Sequence, residues 1–262
     1  MDSPLLETRG LTLHFGGLVA LDNIDLTLRS ADVLCIIGPN GAGKSTLFNV
    51  ITGIYRPLHG SVHLEDLDIT SMPTHRIAKA GVVRTFQASR LFGDLTVLDN
   101  VVIGMHCRTR TGVLTALLRP HVARAELTAA AQRAGDLIGS ISADLYERRN
   151  TLAGALPQAD RRRLEIARAL ASEPKVVMLD EPSSGMDDRD TDRLVADITR
   201  VMAERPGLSF VIIEHDMRLV AALPERVMVI DYGRKIAEGH FNDIRVMPRV
   251  QEAYLGHKAI HA

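Results

Sequence analysis

The chain has 262 residues, with 31 lysines and arginines against 32 aspartates and glutamates, a net charge of −1 with its 10 histidines neutral. That balance argues against a protein that grips nucleic acid by bulk phosphate neutralisation, which needs a basic excess or a basic patch. With 46% apolar and 24% charged residues, the composition is that of a globular chain, long enough for one large domain or a core with an appendage.

The apolar runs stop at about five residues, as in Val33–Ile37, where a bilayer span needs about 18. No basic start followed by a long apolar stretch opens the chain, so no signal peptide is expected. Two cysteines, Cys35 and Cys107, are too few for a disulfide framework. The expectation is a soluble, cytosolic protein.

Residues 11–15 and 24–28 alternate apolar with polar side chains, the period of a half-buried strand, and predict an antiparallel region near the N-terminus. The pattern then changes to continuous apolar runs over residues 33–37, 176–179, 210–213 and 227–230. Strands buried on both faces of a parallel sheet read this way. Helical stretches lie between or beside them, so the expected class is α/β with a sandwiched sheet. Residues 97–150 lack strong strand signals and carry an alanine-rich helical stretch over 122–138, which reads as a helical subdomain inserted into the sheet domain.

The run Gly38-Pro39-Asn40-Gly41-Ala42-Gly43-Lys44-Ser45-Thr46 follows directly on the strand at 33–37 and precedes a helical stretch over 47–52. It matches the phosphate-loop pattern at every defined position, in the strand–loop–helix context that pattern requires. Its glycines let the backbone curl so that successive N–H groups converge on phosphate oxygens at a helix N-terminus. Lys44 would supply a point charge to the terminal phosphates, and the Ser45 hydroxyl a ligand for Mg²⁺. The run 176–179 ends in Asp180-Glu181, carboxylates at the C-terminal end of a buried strand, where ligands of parallel sheets sit. Asp180 is expected to hold the metal and Glu181 to polarise an attacking water.

Four further segments narrow the class. Gln87 follows the strand-like residues 82–86, residues 156–160 lead into a helix over 161–170, Ser184-Gly185-Met186-Asp187 lies just after Glu181, and His215 follows the run 210–214. In this order they resemble the Q-loop, signature, D-loop and H-loop of ABC-type ATPases, a likeness that covers essentially the whole chain. Arg84-Thr85-Phe86-Gln87, Arg163-Leu164-Glu165-Ile166-Ala167-Arg168, Ile213-Glu214-His215-Asp216-Met217 and Ala253-Tyr254-Leu255-Gly256 resemble the branched-chain amino-acid uptake branch, which also contains urea and amide importers.

The resemblance implies a P-loop NTPase sandwich of ABC ATPase type, with residues 1–96 and 172–262 as the nucleotide-binding core and 97–171 as a helical subdomain carrying the signature. It implies ATP and Mg²⁺ as ligands and two ATPase subunits, identical or paralogous, joined head to tail. It further implies separate permease subunits in the membrane, a solute-binding protein acting on them, and attachment to the inner face of the cell membrane through the permeases. Phe15 matches the aromatic that stacks on adenine. Gln87 would ligate Mg²⁺ and report nucleotide state, His215 would contact the γ-phosphate, and Asp187 would reach across the dimer. The competing readings are a soluble ABC ATPase acting on ribosomes or DNA, disfavoured by the single core and neutral charge, and a regulator that does not hydrolyse ATP, disfavoured by Glu181 and His215.

One segment departs from the family pattern. Where approximately Leu-Ser-Gly-Gly-Gln is expected, the chain reads Leu156-Pro157-Gln158-Ala159-Asp160. Pro157 has neither hydroxyl nor N–H, and a hydrogen bond to a charged group is worth about 1.5–3 kcal/mol, so its loss weakens the site about tenfold. Ala159 keeps its N–H, but its methyl restricts approach. Asp160 is expected to bring negative charge near polyphosphate, with Arg161, Arg162 and Arg163 available to offset it.

Overall fold

In the computed structural model, which describes residues 3–85, 91–108, 120–224 and 226–260, the continuous apolar runs form the centre of a six-stranded sheet. The strands are β1 (Leu6–Phe15), β2 (Leu18–Leu28), β3 (Val33–Ile37), β4 (His59–Leu64), β5 (Leu67–Asp68), β6 (Val82–Arg84), β7 (Val176–Asp180), β8 (Ser209–Ile213), β9 (Arg226–Asp231) and β10 (Arg234–Gly239). The helices are α1 (Lys44–Ile51), α2 (Thr74–Ala80), α3 (Val97–Gly104), α4 (Pro120–Ile141), α5 (Ala143–Glu147), α6 (Gln158–Leu170), α7 (Asp188–Glu204), α8 (Met217–Ala222), α9 (Phe241–Ile244) and α10 (Pro248–Ile260). Among the described residues, no helix is long and apolar enough to cross a membrane.

Internal contacts divide the chain into two units, one of Met1–Arg84, Lys175–Ser184 and Arg205–Ala262, the other of Thr85–Pro174 and Gly185–Glu204. The sequence reading set its boundaries at 96/97 and 171/172; the contact division falls at 84/85 and 174/175 and places α7 with the other helices. No periodicity could have assigned α7, because an amphipathic helix fits equally well beside a sheet or a bundle.

The first unit holds both sheets. One is antiparallel, in the order β2-β1-β4-β5, and includes the N-terminal hairpin expected from the alternating pattern. The other has the order β10-β9-β3-β8-β7-β6, with β9, β3, β8, β7 and β6 all parallel. Alternate residues of its central strands, among them Leu34, Ile36, Met178, Val211 and Met228, join one apolar cluster with Phe48 of α1 and the inner face of the antiparallel sheet. The intervening residues, such as Cys35, Val177, Ile212 and Val229, are equally buried. Both faces are therefore covered, which is why these strands read as unbroken apolar runs rather than alternating ones.

The edge strand β10, which the sequence does not signal as a strand, pairs antiparallel with β9. The cause is local. Tyr232 and Gly233 lie between the two strands with φ of 43° and 75°, the left-handed pair of a two-residue hairpin turn.

The second unit is helical, with a buried ionic network at its centre. Arg163 of α6 donates from Nε to Asp197 of α7 (2.7 Å) and from Nη1 to Asp160 (3.1 Å), and Arg148 reaches the other oxygen of Asp160 (3.2 Å). Burial alone would lower the Arg163 pKa, but its bonds to Asp197 and Asp160 more than offset that and hold it above the ordinary arginine value. A buried charge stripped of its partner is costly, so Arg163→Met, which leaves Asp160 and Asp197 without it, is expected to destabilise the protein by about 3–5 kcal/mol. Denaturant unfolding of the variant, read against wild type, measures this; a change below about 1 kcal/mol would show that the network is not a stabilising element.

Candidate functional site

Strand register builds the site. Ile36 of β3 pairs with Ile213 of β8, and Ile213 pairs with Asp180 of β7. Three parallel strands thus end at one level, and the chain that leaves each end carries polar residues: Gly38 onward from β3, Glu181 from β7, and Glu214-His215 from β8. Two hydrogen bonds extend this row past the strands, from Glu181 N–H to the Ile213 carbonyl (2.9 Å) and from Glu214 N–H to the Ile36 carbonyl (3.3 Å).

The loop after β3 needs glycine for two separate reasons. At Gly38, with φ of 153°, a Cβ would lie 2.0 Å from the Ile230 carbonyl oxygen. At Gly43, with φ of 106°, it would lie 2.6 Å from the Ala20 carbonyl oxygen. The loop is wedged between β9 and β2, and only bare backbone fits. Helix α1 begins at Lys44, so the amides of its first turn have no intrahelical acceptor, and no acidic side chain occupies that turn. Together, residues 40–46 and Glu181 line a cavity of about 170 Å³. A cavity that faces the first-turn N–H groups at a helix N-terminus is an anion site.

Lys44 is buried and folds back over the loop, its Nζ donating to the carbonyls of Gly38 (2.6 Å) and Pro39 (2.8 Å). Burial pushes the Lys44 pKa below the ordinary lysine value, against the opposing charges of Glu181 and Asp180. Ser45 and Asn40 are exposed at the cavity, and Thr46 is half-buried. Among the described residues no group of three or more His, Cys, Asp and Glu side chains is arranged to hold a metal ion. The chain therefore offers a divalent cation a hydroxyl and a carboxylate rather than a cage, a donor set suited to Mg²⁺, which usually takes its other ligands from phosphate and water.

Asp180 is buried and is held by Arg84 Nη2 at 2.5 Å, and Arg84 also donates from Nη1 to Asn49 of α1. Neither Arg84 nor Asn49 is singled out by the sequence, because their roles depend on β6 lying beside β7. Glu181 sits in the left-handed region (φ 47°), and its Oε1 is 3.9 Å from His215 Nδ1. The His215 side chain is mostly exposed.

Phe15 ends β1, half exposed, with its ring 5.2 Å from that of Tyr55 in an edge-to-face arrangement. The hairpin that carries it abuts the phosphate loop where Ala20 meets Gly43. Tyr55 was not anticipated, and nothing in its neighbourhood in the sequence signals it.

The structure thus brings together Lys44, Ser45, Asp180, Glu181 and His215. Gln87 lies outside the described residues. Ala159 and Asp187 belong to the helical unit, where Ala159 is in the first turn of α6 and Asp187 caps α7 through Oδ1 to Asp190 N–H (2.8 Å). In that unit Gln158 lies against Gly185, so residues of the signature segment and the D-loop-like segment touch.

Asp160 requires a correction. Its carboxylate is tied to Arg148 and Arg163 rather than standing bare at the helix start. Of the three arginines expected to offset it, Arg163 does so. Arg162 pairs with Glu165 (2.9 Å), and Arg161 donates to the carbonyls of Leu156 and Gly154, both at 2.8 Å.

A family model described as "ABC transporter" matches residues 21–184, more than half of the chain. The chain belongs to the ABC transporter family. A second model, described as "Branched-chain amino acid ATP-binding cassette transporter", matches residues 234–260. The high-affinity branched-chain amino acid transport ATP-binding protein LivG of Salmonella typhimurium is 39% identical over 98% of this chain and 99% of its own. BraF of Pseudomonas aeruginosa, described in the same words, is 40% identical over 98% and 99%. Among solved structures, a nucleotide-free ATP-binding cassette from an ABC transporter aligns with a TM-score of 0.82 at 30% identity, covering 96% of this chain and 98% of that one. The chain is accordingly an ATPase of ABC type, with the sandwich fold of that family, and the reading as a ribosome- or DNA-directed ATPase is not favoured.

Bound phosphates favour the ammonium form of Lys44, whose pKa in the free protein is depressed. ATP binding is therefore expected to take up protons at alkaline pH, and affinity to fall as pH rises through the titration of free Lys44. Titration calorimetry in buffers of differing ionisation heat reads this uptake. Lys44→Arg should abolish it, since arginine stays charged throughout; equal uptake by both proteins would contradict the assignment.

Proposed function

We propose that the chain is the ATP-hydrolysing subunit of an importer for branched-chain amino acids or a related small polar solute. It would work on the inner face of the cell membrane with permease subunits, a second ATPase subunit and, indirectly, a solute-binding protein. The observation that carries the reading is the row of Lys44, Asp180, Glu181 and His215 along one sheet edge, set by the register of β3, β8 and β7. The match over residues 234–260 and the names of the relatives support the solute class.

Each side chain has a part that its surroundings suit. The amides of residues 40–46 and the Lys44 ammonium cradle the β- and γ-phosphates, and Phe15, steadied by Tyr55, offers a face to the adenine. Ser45 and Asp180, with Gln87, would hold Mg²⁺, which when bound neutralises charge on the terminal phosphates. Glu181 lines the same cavity and accepts a proton from the attacking water. His215 steadies the γ-phosphate as charge shifts toward the leaving group. Ala159 and Asp187 serve the partner's nucleotide. ATP closes the pair of subunits and hydrolysis reopens it, a gating cycle that the permeases read. The exposed Phe92 is an apolar contact suited to them.

The altered signature makes the two nucleotide sites unequal when the partner is a paralogue with a regular one. The site built on this chain's Lys44, Asp180 and Glu181 is completed by the partner's signature, whereas this chain's altered segment, residues 156–160, completes the other. Glu181→Gln is expected to leave ATP binding intact and lower turnover of the assembled transporter about a hundredfold. The matching substitution in the partner should cost less. Equal losses would refute the inequality, and an active Glu181→Gln transporter would refute the assignment of Glu181.

A further inference from the structure

Glu214 is wholly buried at the end of an apolar strand, and its carboxylate has an unusual set of partners. Oε1 accepts the N–H of Ser183 (2.8 Å), while Oε2 accepts the N–H groups of His215 (2.9 Å) and Asp216 (3.1 Å). An ionised carboxylate is tolerated in the interior only when hydrogen-bonded or paired, and backbone amides meet that requirement with short, charge-assisted bonds. The two oxygens serve two different loops. Ser183 lies two residues beyond Glu181, and His215 and Asp216 open the loop after β8.

Both loops need an outside anchor. Glu181 is held at φ 47°, a conformation that a non-glycine residue keeps only when its surroundings impose it. The His215 side chain is 62% exposed, so packing does little to place it, and its position is inherited from its backbone. We infer that Glu214 is a positioning residue for hydrolysis: one buried carboxylate fixes the spacing between the loop of Glu181 and the loop of His215. The inference rests on the roles proposed above for those two residues. A displacement of about 1 Å at a reacting centre can cost about a hundredfold in rate, which makes such a brace consequential although Glu214 touches no substrate.

Glu214→Gln tests this with almost no change in size. The glutamine amide has one oxygen to accept with, and its NH₂ cannot accept at all, so at least one of the three amides loses its partner. In the purified full chain, kcat for ATP is expected to fall at least about tenfold while the Kd for ATP, read with a fluorescent analogue, stays within about twofold. In a His215→Ala background the same substitution should add less than about twofold, because residues that act through one another are non-additive. Glu214→Asp keeps the charge but withdraws it by one methylene, and its turnover should fall between wild type and Glu214→Gln; should the glutamine variant fail to fold, this variant decides.

Turnover at the wild-type level in the variant that folds, a parallel loss of ATP affinity, or fully additive losses with His215→Ala would each overturn the inference. Glu181→Gln is measured alongside. An inactive Glu181→Gln with an active Glu214 variant overturns only the brace, whereas an active Glu181→Gln overturns the function itself.

Discussion

Ile213 is the residue on which the site depends. It pairs with Ile36 on one side and Asp180 on the other, and the Glu181 amide hydrogen-bonds its carbonyl. A slip of one residue in either ladder would turn every side chain of that strand to the opposite face and move its loop by about 3.3 Å along the strand. Both faces are packed with apolar side chains, so no slipped register offers comparable burial. The geometry of a polar site is thus enforced by apolar packing one layer beneath it. Side chains with no chemistry of their own, such as Leu34 and Val211, decide where Lys44 and Glu181 stand.

Features governed by neighbours along the chain were legible beforehand. The phosphate loop announces itself because glycine spacing, lysine and flanking apolar run are all local, and the buried strands declare themselves by composition. The roles of Arg84 and Glu214 were not legible in this way, although both fall within the segments that resemble the amino-acid uptake branch. Each acts through a partner supplied by a strand distant in sequence, and a single arginine or glutamate beside an apolar run is equally compatible with solvent. Asp160 shows the same limit in reverse. From its place at a helix start it promised a charge near phosphate; Arg163, one turn along the same helix, offsets it as expected, but Arg148, just past the end of α5, also reaches it.

The two units share one way of holding buried charge, the direct pairing of arginine with carboxylate that the sheet unit also uses at Arg84 and Asp180, and the sheet unit adds another. In the helical unit, arginines and carboxylates pair directly, which rigidifies the region around α6 with fixed geometry. In the sheet unit, Glu214 is satisfied by amides alone, and Lys44 spends its donors on carbonyls of its own loop. Those carbonyl bonds are exchangeable for bonds to phosphate oxygens. The lysine is held near its working position by contacts that a ligand can replace without repacking the core.

The turn at Tyr232 and Gly233 has a consequence for how the protein is made. Gly233 donates its N–H to the Ala42 carbonyl and accepts from the Asp22 N–H, both at 2.8 Å, and the Ile230 carbonyl presses on Gly38. The strands flanking β3 are β8 and β9, each from the far end of the chain. The phosphate loop leaves the ribosome well before β8, β9 and the turn that wall it. During synthesis the loop has no shape to offer a nucleotide until the β9–β10 hairpin emerges, so competence to bind ATP waits on strands made long after the loop itself.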